Sequence, residues 1–369
     1  MFIGALGAGG AERTLIVLAE GFQHRGHDVT VLTWINQEAD FYTVPASVKH
    51  VRADIPKNVV STRWYDVPGL IRRLYAVRKS IQRTQPDVVI SFLDGNNEIF
   101  LLSSIAEKYR KILSCQIDIE RHEHFNPRWN TLRNLIYRWA DKIVFLDKEQ
   151  ASRASLKSPS WQCIGIPNPV MEIDTSPDEQ AKIIIEKILE YPIRLVAMGR
   201  LENQKGFDLL LEAFKRINQN FSKAVLVILG EGQLRGDLQE QVKRLGLSEN
   251  VFMPGQIQKP HSVIKICDIF VFSSRYEGQG LALVEAMACG VPAVSFDCPS
   301  GPSSIIRNHV DGVIVPPEDF MTLAKEANKL LDDKKTRLEY AGEARKVRDR
   351  YSTVKICSQW EELFSQLKN

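Results

Sequence analysis

The sequence predicts an α/β protein with two lobes, each built around a doubly wound parallel sheet. Short apolar runs rich in β-branched residues alternate with segments of helical period along nearly the whole chain, which is the pattern of parallel sheets covered by helices on both faces. The chain has 369 residues, more than the roughly 100 to 200 of a typical domain. A stretch rich in proline and acidic residues at 165–180 has no sustained period, so it predicts the link between the lobes.

The apolar runs place a set of strands in each lobe. The opening run MFIGAL is short for a buried strand, which usually has about five or six residues, so whether this strand is complete stays open. The other strands predicted for the first lobe are Asp28–Trp34, Val48–Ala53, Asp87–Asp94, Lys111–Gln116 and Lys142–Asp147. Those predicted for the second lobe are Arg194–Gly199, Ala224–Gly230, Val251–Gly255, Asp268–Ser274, Pro292–Asp297 and Gly312–Pro316.

The predicted elements group into three segments. An N-terminal domain at 1–168 and a C-terminal domain at 169–353 each hold one sheet. Ligands of doubly wound sheets bind beyond the carboxyl ends of the strands, so we expect them in a cleft shared by the lobes. Residues 354–369 predict a helix that packs back on the N-terminal lobe, because one face carries an apolar stripe. The stripe consists of Trp360, Leu363, Phe364 and Leu367.

Composition and charge exclude several classes of protein. Hydrophobic residues make up 44% and charged residues 25% of the chain, ordinary values for a globular protein with a sizeable core. A formal charge of +3 is too small to predict a nucleic-acid partner. The six cysteines include no C-x-x-C pair, which predicts buried thiols in a reducing compartment. No long apolar run and no charged-then-apolar N-terminal segment occur, so we expect a cytosolic protein without a signal peptide or spanning helix.

A glycine cluster follows the opening strand. In GALGAGGAERTLIVLAEGF, residues 4–22, the order is a strand, then Gly7, Gly9 and Gly10, then a helix. Glycines at such a turn let backbone N–H groups approach an anion, and the helix N-terminus adds a favourable dipole. A tight turn without a ligand fits the same spacing. The cluster is not a dinucleotide-binding fingerprint, since no acidic residue closes a following strand in the expected way.

Two cations follow the first strand of the second lobe. This strand ends at Gly199, Arg200 comes next, and Lys205 precedes the entry to a helix at Gly206–Phe207. Such a pair suits a diphosphate, because arginine offers a fork of donors and lysine a point charge. Solvated loop charges are the alternative interpretation.

Two carboxylates stand in SSRYEGQGLALVEAMACGVPAV, residues 273–294. Glu277 lies in a glycine-rich loop after a strand, and Glu285 lies just over one turn into a helix that ends at Gly290. Apolar neighbours flank Glu285, so its burial requires a hydroxyl or cation partner. Two acceptor carboxylates beside phosphate-binding N–H groups suit a nucleotide-sugar, which has hydroxyls at both ends and phosphates between. Alternatively, Glu277 caps the helix and Glu285 faces solvent.

One segment, at 63–87, is strongly basic. It combines an apolar stripe at helical spacing with six cations against one internal acid, Asp66. A lobe helix with its stripe on the sheet and its cations in water explains the pattern. A helix that lies on a membrane, or that presents cations to the diphosphate of a polyprenyl-linked acceptor, also explains it. Our hypothesis is that both hold, on opposite faces. The stripe is Leu70, Ile71, Leu74, Val77 and Ile81, and the cations are Arg63, Arg72, Arg73, Arg78, Lys79 and Arg83.

Several motifs follow one another along the chain, namely GAGGAER, MGRLENQKG, LGEGQLR, VFMPGQ, SSRYEGQGLALVEAMACGVPAV and DGVIVPPED. In this order they resemble the retaining family 4 glycosyltransferases of the GT-B type. The resemblance covers almost the whole chain and is most specific from Arg200 through Asp311. It implies two Rossmann-like lobes with a cleft between them and a C-terminal helix that crosses back. Within the family, the chain is most similar to bacterial enzymes that extend lipid-linked glycans, including N-acetylgalactosamine transferases.

The resemblance implies a donor site on the second lobe. Arg200 and Lys205, beside Gly199, would hold the donor diphosphate and neutralise charge on the departing nucleoside diphosphate. Glu277 would contact the hydroxyls of the transferred sugar, and Glu285 would accept from the ribose hydroxyls. The backbone N–H groups implied near the sugar and phosphate belong to Gly278, Gln279, Gly280 and Leu281.

The resemblance also implies an acceptor side on the first lobe. Gly9 and Gly10 would leave room there for the donor phosphate or the acceptor. The family commonly has a basic residue near the donor sugar, after the strand equivalent to ILSCQ, where this chain has DIERHEHF at 118–125. Several side chains compete for that role, although two histidines two residues apart are also common on loop surfaces. These candidates are Arg121, His122 and His124, and the acceptor or membrane candidates on the basic segment are Arg72, Arg73, Arg78 and Lys79.

The implied activity is transfer of a hexose or N-acetylhexosamine from a UDP-linked donor, with retention, to a polyprenyl-diphosphate-linked glycan on the inner face of the plasma membrane. The resemblance places this reaction in bacterial polysaccharide, lipopolysaccharide or glycoprotein glycan assembly. The nucleotide-sugar is a co-substrate, and no cofactor is expected. The chain has no D-x-D motif, the nearest approach being DIE at 118–120, so we expect no obligatory metal. A nucleotide-sugar 2-epimerase of the same architecture and a non-catalytic sugar-nucleotide-binding subunit are the alternatives.

Overall fold

The computed structural model describes residues 1–7, 9–35, 40–53, 55, 67–117 and 127–367. Contacts divide the chain into two compact units. Unit 1 comprises Met1–Pro169 and Tyr351–Asn369, and unit 2 comprises Val170–Arg350. The chain therefore leaves unit 1 and returns to it after completing unit 2. Both boundaries lie within three residues of the positions expected from the sequence.

Unit 1 is built on a parallel sheet. The strands in its described residues are β1 (Phe2–Ile3), β2 (Thr30–Thr33), β3 (Lys49–Arg52), β4 (Val88–Phe92), β5 (Arg110–Ser114), β6 (Lys142–Phe145) and β7 (Cys163–Gly165). They lie in the order β3-β2-β1-β4-β5-β6-β7. The short β1 is central, because Phe2 pairs with Leu32 on one side and with Ser91 on the other. The strand order turns back between β1 and β4, so the loops that follow these two strands are neighbours.

Helices cover both faces of this sheet, as strands that are apolar on both sides require. They are α1 (Gly10–His24), α2 (Val67–Thr84), α3 (Asn96–Ser103), α4 (Pro127–Ile136) and α5 (Lys148–Lys157). Successive strand residues enter separate cores, because side chains along a strand alternate between its faces. Phe2 belongs to the same core as Val77 of α2, and Ile3 to the same core as Leu15 of α1.

Unit 2, which is described throughout, holds a second parallel sheet. Its strands are β8 (Ile193–Met198), β9 (Ala224–Leu229), β10 (Val251–Gly255), β11 (Ile269–Phe272), β12 (Ala293–Phe296) and β13 (Gly312–Val315). They lie in the order β10-β9-β8-β11-β12-β13. All of β9 is buried, which is typical of a strand covered on both faces. Here the strand order turns back between β8 and β11.

Aspartates begin several helices of unit 2. Asp178 accepts a hydrogen bond from Ala181 N at 2.8 Å, and Asp319 accepts one from Thr322 N at 2.9 Å, which satisfies a backbone donor that a helix start leaves without a partner. The helices are α6 (Glu179–Leu189), α7 (Phe207–Asn220), α8 (Arg235–Arg244), α9 (Pro260–Ile264), α10 (Leu281–Ala288), α11 (Pro302–Ile305), α12 (Phe320–Asp332), α13 (Lys334–Ala344) and α14 (Val347–Arg350).

The final helix, α15 (Thr353–Leu367), packs against α1 of unit 1. Its predicted stripe faces the core, where Trp360 is 2% exposed. The two helices approach so closely that a Cβ atom at position 21 would lie 2.7 Å from Cys357 Sγ, so Gly21 is required there. At the rim, Arg25 bonds Glu361 at 2.6 Å and lowers the pKa of that carboxyl to about 2.

Strand ends differ from the prediction in a regular way. Apart from Val251–Gly255, the predicted strands extend one to three residues past the observed carboxyl ends, because the predicted ranges include the first residues of the following loops. β7 was not predicted, since three half-buried residues that include Gly165 carry no readable period.

The cysteines agree with the predicted thiols. All six lie in the described part of the chain and are free. Five are buried and Cys163 is half-buried, and burial raises the pKa of every one of these thiols.

Candidate functional site

Two loops meet where the strand order of unit 2 turns back. One runs from Gly199 to Gly206 after β8, and the other runs from Ser273 to Gly280 after β11. Their strands are paired neighbours. Ligands of doubly wound sheets bind at this position. The structure thus brings the predicted cations and Glu277 to the same edge of one sheet.

Lys205 and Glu277 form an ion pair between these loops. Lys205 Nζ lies 2.6 Å from Glu277 Oε1, and Ser274 Oγ donates to the same oxygen at 2.6 Å. The Lys205 side chain is 16% exposed and that of Glu277 is 7% exposed. The stem of Lys205 lies over Gly199, where a Cβ atom would approach Lys205 Cδ to 3.1 Å. Because Gly199 has no side chain, the Lys205 stem has room to extend to the carboxylate.

Further bonds fix the two loops to each other. Gln204 Nε2 donates to the Tyr276 carbonyl at 3.0 Å, and Arg275 Nη1 donates to the Asn203 carbonyl at 2.8 Å. Arg275 also binds both oxygens of Asp208 at 2.7–2.8 Å, and this carboxylate raises the pKa of the guanidinium. The sequence pattern did not mark Arg275, because its partners lie about 70 positions away. These bonds fix the loops that carry Lys205 and Glu277.

Arg200 lies apart from this ion pair. Its side chain is 64% exposed, and Nη1 lies 3.0 Å from Glu202 Oε1. An exposed pair of this kind contributes little to stability, so the guanidinium is available to a ligand. The structure places both predicted cations after the same strand but engages only Lys205 with Glu277.

Glu285 is buried in α10 rather than exposed to solvent. The residue is 1% exposed, and its Oε2 lies 3.3 Å from His261 Nε2 of α9. Glu277 does not cap α10, because the N-cap residue is Gly280 and no side chain caps it. The alternative interpretation of the two glutamates is therefore wrong on both counts. His261 had no sequence signal, since nothing local connects it with a residue 24 positions away.

The residues between the two glutamates form a tight, buried turn. Gly278 and Gln279 are buried, and Leu281 is half-buried. Gly280 has φ +88°, and a Cβ atom there would lie 3.1 Å from the Phe272 ring. Glycine suits this position, because the left-handed backbone conformation disfavours a side chain and the ring leaves little room for one.

The glycine loop of unit 1 has the predicted order of strand, turn and helix. Gly9 is the N-cap of α1, and Gly10 is its first residue. Glu12, in the first turn, folds back so that its carboxylate occupies the space of a Cβ atom at Gly9. This is the placement of a glutamate that closes a capping box. An anion at Gly9 would have to displace this carboxylate.

A buried charged cluster lies after β4 in unit 1. Arg133 Nη1 is 3.6 Å from Asp94 Oδ2, and Tyr137 OH donates to Asp94 Oδ1 at 3.1 Å. Glu98 of α3 is 0% exposed, and burial followed by repulsion from Asp94 raises its pKa to about 8. The sequence did not predict this cluster, because Arg133 and Tyr137 lie about 40 positions from Asp94.

Helix α2 presents a different basic face from the predicted one. Arg73 is 7% exposed, and its Nε donates to the Gly69 carbonyl at 3.3 Å, so it does not lie on an exposed cationic face. Arg78 pairs with Glu107 at 2.8 Å. Ile71 was assigned to the buried stripe but is 61% exposed. Residues exposed on α2 include Ile71, Arg72, Tyr75, Lys79 and Arg83.

Several predictions fall outside the described residues. They concern the segment 118–126, including DIE, Arg121, His122 and His124, and also Arg63. Among the residues that are described, no group of three or more His, Cys, Asp and Glu side chains is placed to hold a metal ion. None of the helices in the described ranges combines the length and apolar character needed to cross a bilayer.

Comparison with known proteins gives a match for each unit. Residues 8–170 match the model described as Glycosyltransferase Family 4, and residues 178–347 match the model described as Glycosyl transferases group 1. These ranges closely follow unit 1 and unit 2. Together they span most of the chain.

Relatives of similar length and a solved structure agree with these matches. The chain is 25% identical to the GalNAc-alpha-(1->4)-GalNAc-alpha-(1->3)-diNAcBac-PP-undecaprenol alpha-1,4-N-acetyl-D-galactosaminyltransferase of Campylobacter jejuni, over 100% of this chain and 98% of that protein. It is 26% identical to the Amylovoran biosynthesis glycosyltransferase AmsD of Erwinia amylovora, over 98% and 97%. Anabaena Alr3699/HepE, solved in complex with UDP and glucose, shares the fold at a TM-score of 0.79 and 20% identity, over 99% of this chain and 98% of that one. Because both units match glycosyltransferase models and full-length relatives are glycosyltransferases, the chain is a family 4-like glycosyltransferase of the GT-B fold.

Proposed function

We propose that the protein transfers a hexose or N-acetylhexosamine from a UDP-sugar, with retention, to a polyprenyl-diphosphate-linked glycan. The observation that carries the proposal is the ion pair of Lys205 and Glu277 at the turning point of the unit 2 sheet, with Arg200 exposed after the same strand. The lipid-linked acceptor is supported by the Campylobacter relative, whose name contains a PP-undecaprenol acceptor. UDP is supported by the HepE complex.

Lys205 and Arg200 would stabilise the leaving group. An ammonium has three donors, and Glu277 takes one of those of Lys205, so the same lysine is able to bind a phosphate oxygen beside the carboxylate. Arg200 would supply a second, forked contact to the diphosphate. Because both cations are positioned at the diphosphate, they would stabilise the additional negative charge that develops on the β-phosphate of the departing UDP.

Glu277 would bind a hydroxyl of the transferred sugar. Its Oε1 already accepts from Lys205 and Ser274, which lowers its strength as a nucleophile and leaves Oε2 outside both bonds. We therefore favour a route without a covalent glycosyl intermediate. In this route the acceptor hydroxyl attacks the anomeric carbon on the face that UDP leaves, and a phosphate oxygen takes the hydroxyl proton.

The acceptor would approach along unit 1 from a membrane surface. The exposed face of α2 carries Ile71 and Tyr75 beside Arg72 and Lys79, a combination that suits an anionic lipid interface. We place the protein on the cytoplasmic face of the plasma membrane, in the assembly of cell-surface glycans.

Assay of the purified protein with a panel of UDP-sugars, with and without lipid-linked glycans, tests the proposal. Acceptor-dependent release of UDP from one donor, with an α-linked product from an α-linked donor, is the expected result. Conversion of the donor sugar without an acceptor would identify a 2-epimerase, an alternative that the named relatives do not support. Nucleotide binding without either reaction would identify a non-catalytic subunit.

A further inference from the structure

The carboxylate of Glu285 lies in apolar surroundings. The residue is 1% exposed, and Leu283, Val284, Ala286 and Met287 of the same helix are fully buried. A buried carboxylate needs hydrogen-bond donors to offset its lost hydration. His261 offers one, because its Nε2 lies 3.3 Å from Glu285 Oε2 while its own side chain is 10% exposed.

The backbone of His261 is fixed from several directions. Pro260 starts α9 and sets the backbone angle at its first position. The His261 carbonyl accepts from Lys265 N at 3.0 Å and from Sγ of Cys289, the residue after α10, at 3.9 Å. The imidazole therefore projects from a turn whose backbone is fixed by hydrogen bonds.

Lysines on either side of His261 tie α9 to the segment that opens unit 2. Lys259 Nζ bonds Asp174 Oδ2 at 2.9 Å, and Lys265 Nζ donates to Thr175 Oγ1 at 3.2 Å. The two contacts join the ends of α9 to residues 85 and 90 positions away in the sequence, so movement of the turn would break two long-range bonds. The imidazole thus has a defined place from which to hold Glu285.

We propose that His261 is a positioning residue for the nucleoside end of the donor, acting through Glu285. The imidazole N–H holds Glu285 Oε2, which turns Oε1 toward the ribose hydroxyls. His261 itself does not touch the reacting atoms, so its loss weakens nucleotide binding and leaves the turnover of bound donor nearly unchanged. The inference rests on the proposed function, since it assigns a partner to the proposed ribose contact.

Calorimetry with UDP and with 2′-deoxy-UDP tests this role. If Glu285 binds ribose, the unmodified protein binds UDP more tightly than the deoxy nucleotide. We expect His261→Ala to weaken UDP binding about 10-fold, the scale of one hydrogen bond to a charged group, and to reduce the preference for UDP toward unity. His261→Gln has an amide N–H that reaches a similar position, so it should restore both the UDP affinity and the preference for UDP over 2′-deoxy-UDP. In each variant, kcat at saturating donor should stay within about threefold of the value for the unmodified protein.

Ser262→Ala is the matched control. Ser262 is the next residue of α9, and its hydroxyl donates to the Lys259 carbonyl at 2.7 Å, so this variant perturbs the turn without removing the imidazole. It should keep the UDP preference. His261→Leu, which fills the same space without a donor, replaces His261→Ala if the latter does not fold.

Two outcomes separate the inference from the function on which it rests. If the unmodified protein discriminates the two nucleotides and the variants that lack an imidazole do so equally well, the role of His261 is overturned while the donor site stands. If the unmodified protein binds neither nucleotide, the proposed UDP-sugar donor is wrong and the inference fails with it.

Discussion

Lys205 Nζ lies 2.6 Å from Glu277 Oε1, although 72 residues separate the two in the sequence. The contact joins the loops that follow β8 and β11, the neighbouring strands at which the order of the unit 2 sheet turns back. Since Ser274 donates to the same oxygen, two donors orient the carboxylate. A charge held in this way costs little reorganisation during a reaction.

Glu277 and Glu285 should have separable kinetic effects. Glu277→Gln keeps the shape of the side chain but removes the charge, and we expect kcat to fall about 10- to 100-fold, the scale of one hydrogen bond to a charged group, with a smaller change in the donor KM. Glu285→Gln should instead raise the donor KM about 10-fold. Steady-state kinetics at varied donor concentration measures both. Equal changes in kcat and KM for the two variants would contradict the assignment of one glutamate to the sugar and the other to the ribose.

Arg200 should matter for turnover and not for folding. Its guanidinium is largely exposed and bonds only a surface carboxylate among the contacts described, so Arg200→Ala should change the free energy of unfolding by less than about 0.5 kcal/mol. The loss of diphosphate stabilisation should lower kcat/KM about 10- to 100-fold. Glu202→Gln is the control, because it removes the surface pair and keeps the guanidinium. Normal activity in Arg200→Ala would exclude this residue from the donor site.

The fold was predictable because the strands of unit 2 are apolar on both faces. Each of them appears in the sequence as a mainly apolar run, and each was located to within two residues. β7 was not predicted because an edge strand of three residues needs no such run.

The position of Arg73 was predictable in principle. It lies three residues after Leu70 and four before Val77, on the buried side of α2, but assignment by residue type placed it among the solvated cations.

The candidate site was only partly predictable. Glu277 and Lys205 stand in motifs whose residue types suit a nucleotide-sugar. The sequence therefore predicted the kind of ligand they bind, but not that the two side chains contact each other. Arg275 and His261 were not visible, because their roles depend on partners that folding brings from 67 and 24 positions away. Local sequence periodicity does not predict contacts between residues so far apart.

The exposed face of α2 should bind anionic membranes. Arg72→Glu combined with Lys79→Glu reverses two charges beside the exposed Ile71 and Tyr75, so binding to vesicles with anionic lipid should fall at least 10-fold, at about 1 kcal/mol for each basic residue removed. Lys148→Glu with Lys157→Glu makes the same charge change on the exposed side of α5 and serves as the control. Vesicle sedimentation measures both. If the α2 variant still binds anionic vesicles and is still active on a lipid-linked acceptor, the exposed face of α2 is not the membrane-binding surface.

Turnover should not depend on a divalent metal. Lys205 and Arg200 place two cations after one strand, where they would stabilise the charge on a leaving UDP in the way a divalent metal otherwise does. Initial rates in excess chelator should therefore equal those with added magnesium. A loss of activity that magnesium restores would show that a cation takes part.

Glu98 should make the protein less stable as the pH rises. Its pKa in the folded state is about 8, against an ordinary value of 4.5, so between these limits the folded state holds a proton that the unfolded state has released. The free energy of unfolding should fall by about 1.4 kcal/mol per pH unit across this window. Below pH 4.5 both states are protonated and the effect vanishes. Glu98→Gln has no proton to lose, so its stability relative to the unmodified protein should grow from pH 5 to pH 8. Urea unfolding at intervals of one pH unit measures this difference, and parallel profiles for the two proteins would contradict a protonated, buried Glu98.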